Sequence, residues 1–572
     1  MHQKILNQAR ERPIRTLAWS FPRGGMLSVM LRRGAAIARR TKQSFEILVL
    51  NPDFDAPAER RALSAEGSLP PGIAVKALSE ELSGADDLAL SALGAWSMVT
   101  TPPPALLSQP GPRAERREKG ELLQVDRRRA DGTTWLIDHR DPTVPGQRRG
   151  RALFILSRSG EVIASFRTAT ELYHAWLDRV LGPAESTLIL DSPFAANLMT
   201  GYRRPNIATM LAIHSLHLQP DLPGVRGPLS ELNPNRLQQM DAFDAVVPLM
   251  RAQATDIITA DLASSLIRAV PNSAEVVVPH QNTPRDKTHF VMVSRAHPEK
   301  RVEHAIQAMA LLMDRGVAAT LSVYGGGAAL RQLHELVSNS GLADRIHLAG
   351  FTPQAAQHFR SAAFSLLTSR YEGQSLALVE SMAAGCVPIS YDLKYGPPDL
   401  IDHGVSGFLV GSGDVGALAD AMEAATRLSD SKIMEMSSAA VLGVAHLNDD
   451  AVVDTLQELI DDMWARKSRP QPLRATVTAY EWQYSAVGYV CTFHIAGTLS
   501  SSTQAFGVWN SRHTPDFGRT KATLHVIGPG LARGEFRLRA VDLPELPGSD
   551  LTFWLDLSST THFERHPLTA PF

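Results

Sequence analysis

Short apolar runs alternate with stretches of helical periodicity along most of this chain. Residues 15–20, 46–50, 186–190, 207–213 and 245–249 read as buried strands, with helical patterns at 27–38 and 251–258. Val276-Val277-Val278-Pro279 would close this first series, and residues 280–288, rich in Gln, Asn, Thr, Pro and charge, read as a linker. A second series starts at Phe290. Its strands are expected at 290–294, 320–324, 346–348, 364–367, 388–390 and 407–410, and its helices at 302–313, 328–338, 353–361, 376–384 and 415–425. Strand and helix in turn predict parallel sheets covered by helices, so the pattern reads as two α/β domains.

Two stretches break the rhythm. Short strands at 122–126, 133–138, 152–156 and 161–166, with Ser157-Arg158-Ser159-Gly160 as a hairpin turn, predict an antiparallel insertion closed by a helix at 169–181. After Arg474, strands at 475–482, 488–496, 506–510, 522–526, 535–540 and 552–557 predict a small β-sandwich. Trp482, Trp509 and Trp554 read as its core rather than as sugar platforms. A long amphipathic helix at 450–466 is broken by Ser468-Arg469-Pro470-Gln471-Pro472. The expected domains are 1–280 with the insertion at 73–180, 281–445, a helix crossing back at 446–470, and a β-module at 471–572.

Composition narrows the class. The 572 residues exceed what one core usually serves, and 44% hydrophobic with 20% charged residues is ordinary for a soluble globular protein. Lys plus Arg (57) nearly balances Asp plus Glu (59), so global charge gives no argument for nucleic acid. The basic runs at 113–119 and Arg127-Arg128-Arg129 are either solvated surface or a contact for an anionic polymer. Two cysteines, Cys386 and Cys491, make no disulfide framework or zinc spacing, which suits a reducing cytoplasm. Met1-His2-Gln3-Lys4 leads into no apolar core, so no signal peptide is expected. No window reaches the ~20 apolar residues of a membrane span. The expected location is the cytoplasm, with the inner face of the membrane as a variant.

The candidate chemistry lies at strand ends, where ligands bind in open α/β sheets. Arg295 and Lys300 follow the 290–294 strand. Glu372 and Glu380 bracket the turn Gly373-Gln374-Ser375-Leu376, which opens a helix. Cations facing free N–H groups at a helix start suit a diphosphate. Gly24-Gly25 follows the first strand and would let a ligand approach the backbone; a plain helix-start turn is the alternative. His214 follows the 207–213 strand, and His217 is its rival. Tyr324-Gly325-Gly326-Gly327 lacks the full G-x-G-x-x-G, which weighs against a dinucleotide site. Asp53-Phe54-Asp55 has a metal-binding look, but an Arg and Lys clamp makes a metal unnecessary, and none is expected.

The combination of Ser294-Arg295 with Glu299-Lys300-Arg301, Tyr324-Gly325-Gly326-Gly327, Gly350-Phe351 and the E-x7-E from Glu372 to Glu380 resembles retaining glycosyltransferases of family 4, which have the GT-B fold. The run Ser390-Tyr391-Asp392-Leu393-Lys394-Tyr395-Gly396-Pro397 is similar to the subgroup that α-glycosylates wall teichoic acid, poly(glycerol- or ribitol-phosphate), and to bacterial O-GlcNAc transferases of serine-rich adhesins. The resemblance spans residues 13–465 and is strongest in the second domain. The β-module after Pro472 lies outside it.

The resemblance implies a role for each residue. Arg295 and Lys300 would neutralise the leaving diphosphate. The N–H groups of Gln374, Ser375 and Leu376 would add neutral donors, with Gly325 among the donor-binding residues. Glu372 would bind donor-sugar hydroxyls, Glu380 the ribose hydroxyls, and His214 the donor sugar from the opposite wall. Gly24 and Gly25 would admit phosphate and acceptor. The reaction implied is front-face retention without cofactor, with UDP-glucose or UDP-GlcNAc as donor and a cell-wall glycopolymer such as teichoic acid as acceptor. Also expected are peripheral membrane association and a homo-oligomer formed through the insertion. The alternatives are an O-glycosyltransferase of a serine-rich protein, a retired scaffold that holds a glycopolymer, and a sugar phosphorylase.

Overall fold

The computed structural model describes residues 12–21, 24–94, 102–106, 109, 111–140, 151–220, 224–230, 235–275, 285–352, 355–468, 473–485, 488–539, 543, 550–559 and 562–571. The expected strand at 276–279 and most of the expected linker lie outside them. Contacts divide the chain into two compact units, Met1–Leu211 and Ala212–Phe572.

The first unit opens with β1 (Ile14–Ala18), α1 (Gly25–Thr41), β2 (Phe45–Val49) and β3 (Ile73–Ala77). The insertion follows as β4 (Arg113–Glu118), β5 (Glu121–Arg128), β6 (Thr134–His139), β7 (Ala152–Leu156) and β8 (Val162–Phe166), an antiparallel meander in chain order. β9 (Ser186–Leu190) and β10 (Ile207–Ile213) then return to the parallel sheet, whose order here is β10-β9-β1-β2-β3. Asp191, fully buried just past β9, accepts from Thr16 Oγ1 at 2.5 Å and pairs with Arg33, which fixes α1 against the sheet.

Among the described residues the insertion has five strands where four are expected. The extra one, β4, is the basic run itself. Its charges are spent internally: Arg113 and Arg127 both pair with Asp53, at 2.8 and 2.7 Å, and Glu115 accepts from Arg117 at 2.9 Å. Asp55 caps the next helix by accepting from Ala58 N at 2.9 Å. Both acids of the Asp53-Phe54-Asp55 run therefore have structural partners.

The second unit begins with the parallel pair β11 (Ala245–Pro248) and β12 (Leu266–Ile267), with α2 (Arg251–Thr259) between them. A six-stranded parallel sheet follows: β13 (Asp286–Val293), β14 (Thr320–Tyr324), β15 (Ile346–Gly350), β16 (Ala362–Leu367), β17 (Val387–Asp392) and β18 (Phe408–Gly411). Its order is β15-β14-β13-β16-β17-β18. α3 (Val302–Asp314) buries Val302, Ile306 and Met309 against Phe290, Met292 and Leu321 of the sheet. α4 (Leu376–Ala383) and α5 (Asp430–Val444) pack together through Val379, Met382, Ala440 and Val444. α5 is not legible beforehand, because small residues dilute its apolar stripe. α6 (Asp449–Lys467) ends the α/β part.

Among the described residues the terminal module is a sandwich of eight strands, where six are expected. They are β19 (Arg474–Ser485), β20 (Gly488–Thr498), β21 (Gln504–Ser511), β22 (Phe517–Lys521), β23 (Thr523–Gly528), β24 (Leu531–Arg539), β25 (Leu551–Ser558) and β26 (Phe563–Leu568). They form two sheets, β19-β20-β24-β23 and β22-β21-β25-β26. Trp509 is buried, and Trp482 lies edge-on to Phe536 and Phe553. Trp554 differs from expectation: it carries the Arg565 guanidinium on its face. Among the described residues no helix is long and apolar enough to cross a membrane.

Candidate functional site

β13, β16 and β17 are adjacent and parallel, so the chain leaves all three at one edge of the sheet. From β13 the strand order runs outward through β14 and β15; from β16 it runs the other way through β17 and β18. The strand order therefore reverses between β13 and β16, and such a reversal is where open α/β sheets bind ligands. Lys300 follows β13 and Glu372 follows β16, one on each side of it.

The two meet. Lys300 Nζ donates to Glu372 Oε1 at 2.6 Å, and the same oxygen accepts from Ser369 Oγ at 2.7 Å. The pair is only partly open to solvent, 17% for the Lys side chain and 11% for the Glu. Buried Thr368 holds the Lys300 loop by donating to the carbonyls of Lys300 and Arg301 at 2.9 and 2.8 Å. Glu372 is tied to the loop after β17 in both directions: its N–H donates to Lys394 O and its carbonyl accepts from Tyr395 N, at 3.3 and 2.9 Å. Arg295 stands apart from this pair. It is 64% exposed and donates to Glu299 Oε1 at 2.9 Å, so its charge lies on the open side of the loop.

The loop after β14 fits against the loop after β13 without room for side chains. A Cβ on Gly325 would lie 1.9 Å from Ser294 O, and one on Gly327 would lie 2.4 Å from Ala296 O. Both glycines have positive φ, 147° and 152°, which L side chains rarely adopt. Gly325 is thus explained by backbone approach within the protein.

The start of α4 completes the arrangement. Ser375 Oγ accepts from Leu378 N at 3.3 Å, which leaves the earlier N–H groups of the first turn without intrahelical acceptors. Gln374 is buried, and its side chain is used structurally: Oε1 accepts from Asn272 N at 2.7 Å. Gly373 presses on the backbone of His214, where an added Cβ would lie 2.3 Å from the His214 carbonyl oxygen. Half-buried His214 is thereby held beside the Gly373-Gln374-Ser375 turn. Glu380 is half-buried further along α4. Gly24, with φ 135°, and Gly25 begin α1 in the first unit.

His217 takes a different place. It is fully buried, stacks on Tyr395 at 6.1 Å, and lies near Gln253 Nε2. Burial drives its pKa down to about 4, against a smaller opposing pull from Asp256. Asp256 Oδ2 accepts from Tyr395 Oη at 2.7 Å and from Lys394 Nζ at 2.8 Å, and burial pushes the Tyr395 phenol upward. Asn272, Thr368, Ser369, Asp256 and Tyr395 are not legible as site residues beforehand. Ser369, polar at a strand end and three residues before Glu372, and Tyr395, inside the Ser390–Pro397 run, carried a signal. Among the described residues no three His, Cys, Asp or Glu side chains cluster as a metal site would need.

Comparison with known proteins gives the arrangement a context. The TarM crystal structure superposes with a TM-score of 0.60 at 15% identity, over 78% of this chain and 98% of TarM. The pneumococcal O-GlcNAc transferase GtfA, solved with UDP and GlcNAc, superposes at 0.54 and 14% identity, over 79% of this chain and 99% of that one. The fold is GT-B. Within this GT-B chain, residues 276–440 match the family model for glycosyl transferases group 1. An exopolysaccharide phosphotransferase of Streptomyces coelicolor is 30% identical over 330 residues, 55% of this chain and 32% of that protein. The poly(glycerol-phosphate) alpha-glucosyltransferase of Bacillus subtilis is 24% identical over 212 residues, 37% of this chain and 31% of its own length. The poly(ribitol-phosphate) alpha-N-acetylglucosaminyltransferase of Staphylococcus aureus is 24% identical over 187 residues, 32% of this chain and 37% of its own length. The chain spans about a third of the length of these curated relatives.

Proposed function

We propose that this chain is a retaining, metal-independent hexosyltransferase. It moves glucose or N-acetylglucosamine from a UDP-sugar to a hydroxyl of a bacterial cell-wall glycopolymer such as teichoic acid. The observation that carries the reading is the Lys300–Glu372 pair, held where the strand order reverses between β13 and β16, beside the start of α4. The Lys300 ammonium, the exposed Arg295 guanidinium and the first-turn N–H groups of α4 would take up charge growing on the leaving diphosphate. Glu372, placed by Ser369 and by the Tyr395 N–H, would hydrogen-bond the sugar next to that diphosphate. His214 would reach the sugar from beside Gly373, and Glu380 the ribose. The polymer acceptor is suggested by the names of the two polyol-phosphate relatives. A serine-rich protein acceptor is the second reading, favoured by 26% identity over 144 residues to the UDP-N-acetylglucosamine--peptide N-acetylglucosaminyltransferase GtfA subunit of Streptococcus gordonii.

The test is UDP release from a panel of nucleotide sugars. UDP-glucose or UDP-GlcNAc is expected to turn over, unaffected by EDTA. Lys300→Ala and Glu372→Ala are each expected to fall about 10²–10³-fold, the usual loss when one charge-stabilising group is removed. Equal turnover by wild type and both variants would sink the reading. Faster release with poly(glycerol phosphate) or poly(ribitol phosphate) than with a serine-rich peptide would assign the acceptor, and the reverse order would favour the second reading.

A further inference from the structure

The outer sheet of the terminal module carries an unusual tip. β23 and β24 form a hairpin closed by Pro529-Gly530, and three large apolar side chains stand out from it: Val526 is 70% exposed, Ile527 59% and Leu531 47%. The cause is local. The ladder slips between Val526 and Gly528, so Ile527 is an extra residue in a β-bulge. Strand alternation, which would turn one of two successive side chains inward, fails there. The tip is also stiff. Gly497 N donates to Gly530 O at 2.8 Å, tying the hairpin end to the end of β20. A pinned apolar tip loses little freedom when it inserts into another phase.

Charge lies directly behind it. His494 of β20 and His525 of β23 both stand opposite Arg533 of β24, so the three form one exposed cross-strand row. Arg537 and Arg539 continue outward along β24 on the same face, with Glu535 between them and Arg533 and paired to Arg537. Apolar side chains projecting beyond a row built on Arg533 match an anionic lipid surface, in which the apolar part enters the headgroup boundary, the Arg533 guanidinium meets lipid phosphate and the flanking imidazoles can hydrogen-bond to it. A phosphate polymer would explain the row but not the tip.

We infer that the 526–531 hairpin is a docking point for anionic phospholipid membranes. The occupant is a bilayer surface, with Val526, Ile527 and Leu531 inserted and His494, Arg533 and His525 against the headgroups. The inference does not depend on the transferase reading, since its readout needs no nucleotide sugar.

The test is co-sedimentation of the full chain with phosphatidylcholine vesicles, with and without phosphatidylglycerol. Binding is expected only to the anionic vesicles and is expected to weaken as salt rises. Ile527→Glu is expected to reduce it about tenfold or more, and Arg533→Gln several-fold with a flatter salt dependence. Unchanged melting of both variants would exclude misfolding as the cause; if Ile527→Glu melts early, Val526→Ser replaces it. Equal binding of wild type and variants, or equal binding to neutral vesicles, overturns the proposal. So does the absence of vesicle binding together with a dimer in solution that Ile527→Glu dissociates, because the hairpin would then meet a second copy at the free β23 edge.

Discussion

Two histidines three residues apart, His214 and His217, compete for one role on paper, and the fold separates them. His214 leaves β10 and is gripped by Gly373, whereas His217 is sealed under Tyr395 and Gln253. Nothing within the local sequence decides this, since the residues that bury His217 lie far along the chain. The consequence can be measured. The imidazole of His217 has a pKa of about 4 in the fold against 6.5 for the free side chain. The unfolded chain therefore takes up the proton first. Stability is intact above pH 6.5 and falls as the pH drops toward 4, by on the order of 3 kcal/mol for this group alone. His217→Phe should flatten the melting temperature between those pH values. A variant whose slope matched the wild type would show that another group carries the acid sensitivity.

At the scale of elements, legibility followed burial. The site strands β16 and β17, and the second half of β13, are mostly buried and read as short apolar-rich runs. The five described strands that went unread, β3, β4, β12, β22 and β26, are all edge strands. Solvent on one side lets Arg, Lys, His and Glu into an edge, and the alternation that marks a strand is lost. The turns between elements were better signposted, because glycine is demanded there by geometry. Gly325 and Gly373 both meet a carbonyl oxygen where a Cβ would go. Gly373 has no positive φ, so for it the contact alone decides. Gly373→Ala must push the His214 backbone away from the α4 turn, and Gly325→Ala must open the loops after β13 and β14. Each should cost about 2 kcal/mol or more in denaturant unfolding, within the range for overpacking. A loss below about 0.5 kcal/mol, the scale of a neutral surface change, would mean that these loops yield freely.

At the scale of the whole second unit, the terminal module was legible as a sandwich, but its attachment was not. The run Ser468-Arg469-Pro470-Gln471-Pro472 reads only as a helix breaker, so on sequence alone the sandwich could be independent of the α/β part. Long-range side chains make it otherwise. Arg519 of β22 pairs with Asp241 at 2.6 Å, both almost fully buried, and lies over the Phe506 ring. Asp241 is held in turn by the N–H groups of Ser264 and Ser265 at 2.6 and 2.9 Å. Arg565 donates to Gln238 O at 2.8 Å, and Leu229 N donates to Pro515 O at 2.9 Å. A buried pair adds little by itself, because desolvation offsets attraction, but removing one partner strands the other charge. Arg519→Ala should therefore destabilise by about 3–5 kcal/mol, and the double change Arg519→Met with Asp241→Asn should recover part of that. Calorimetry separates the two pictures. If the module is locked, Arg519→Ala lowers the melting of the α/β part as well as that of the sandwich. If it is independent, only the sandwich transition moves.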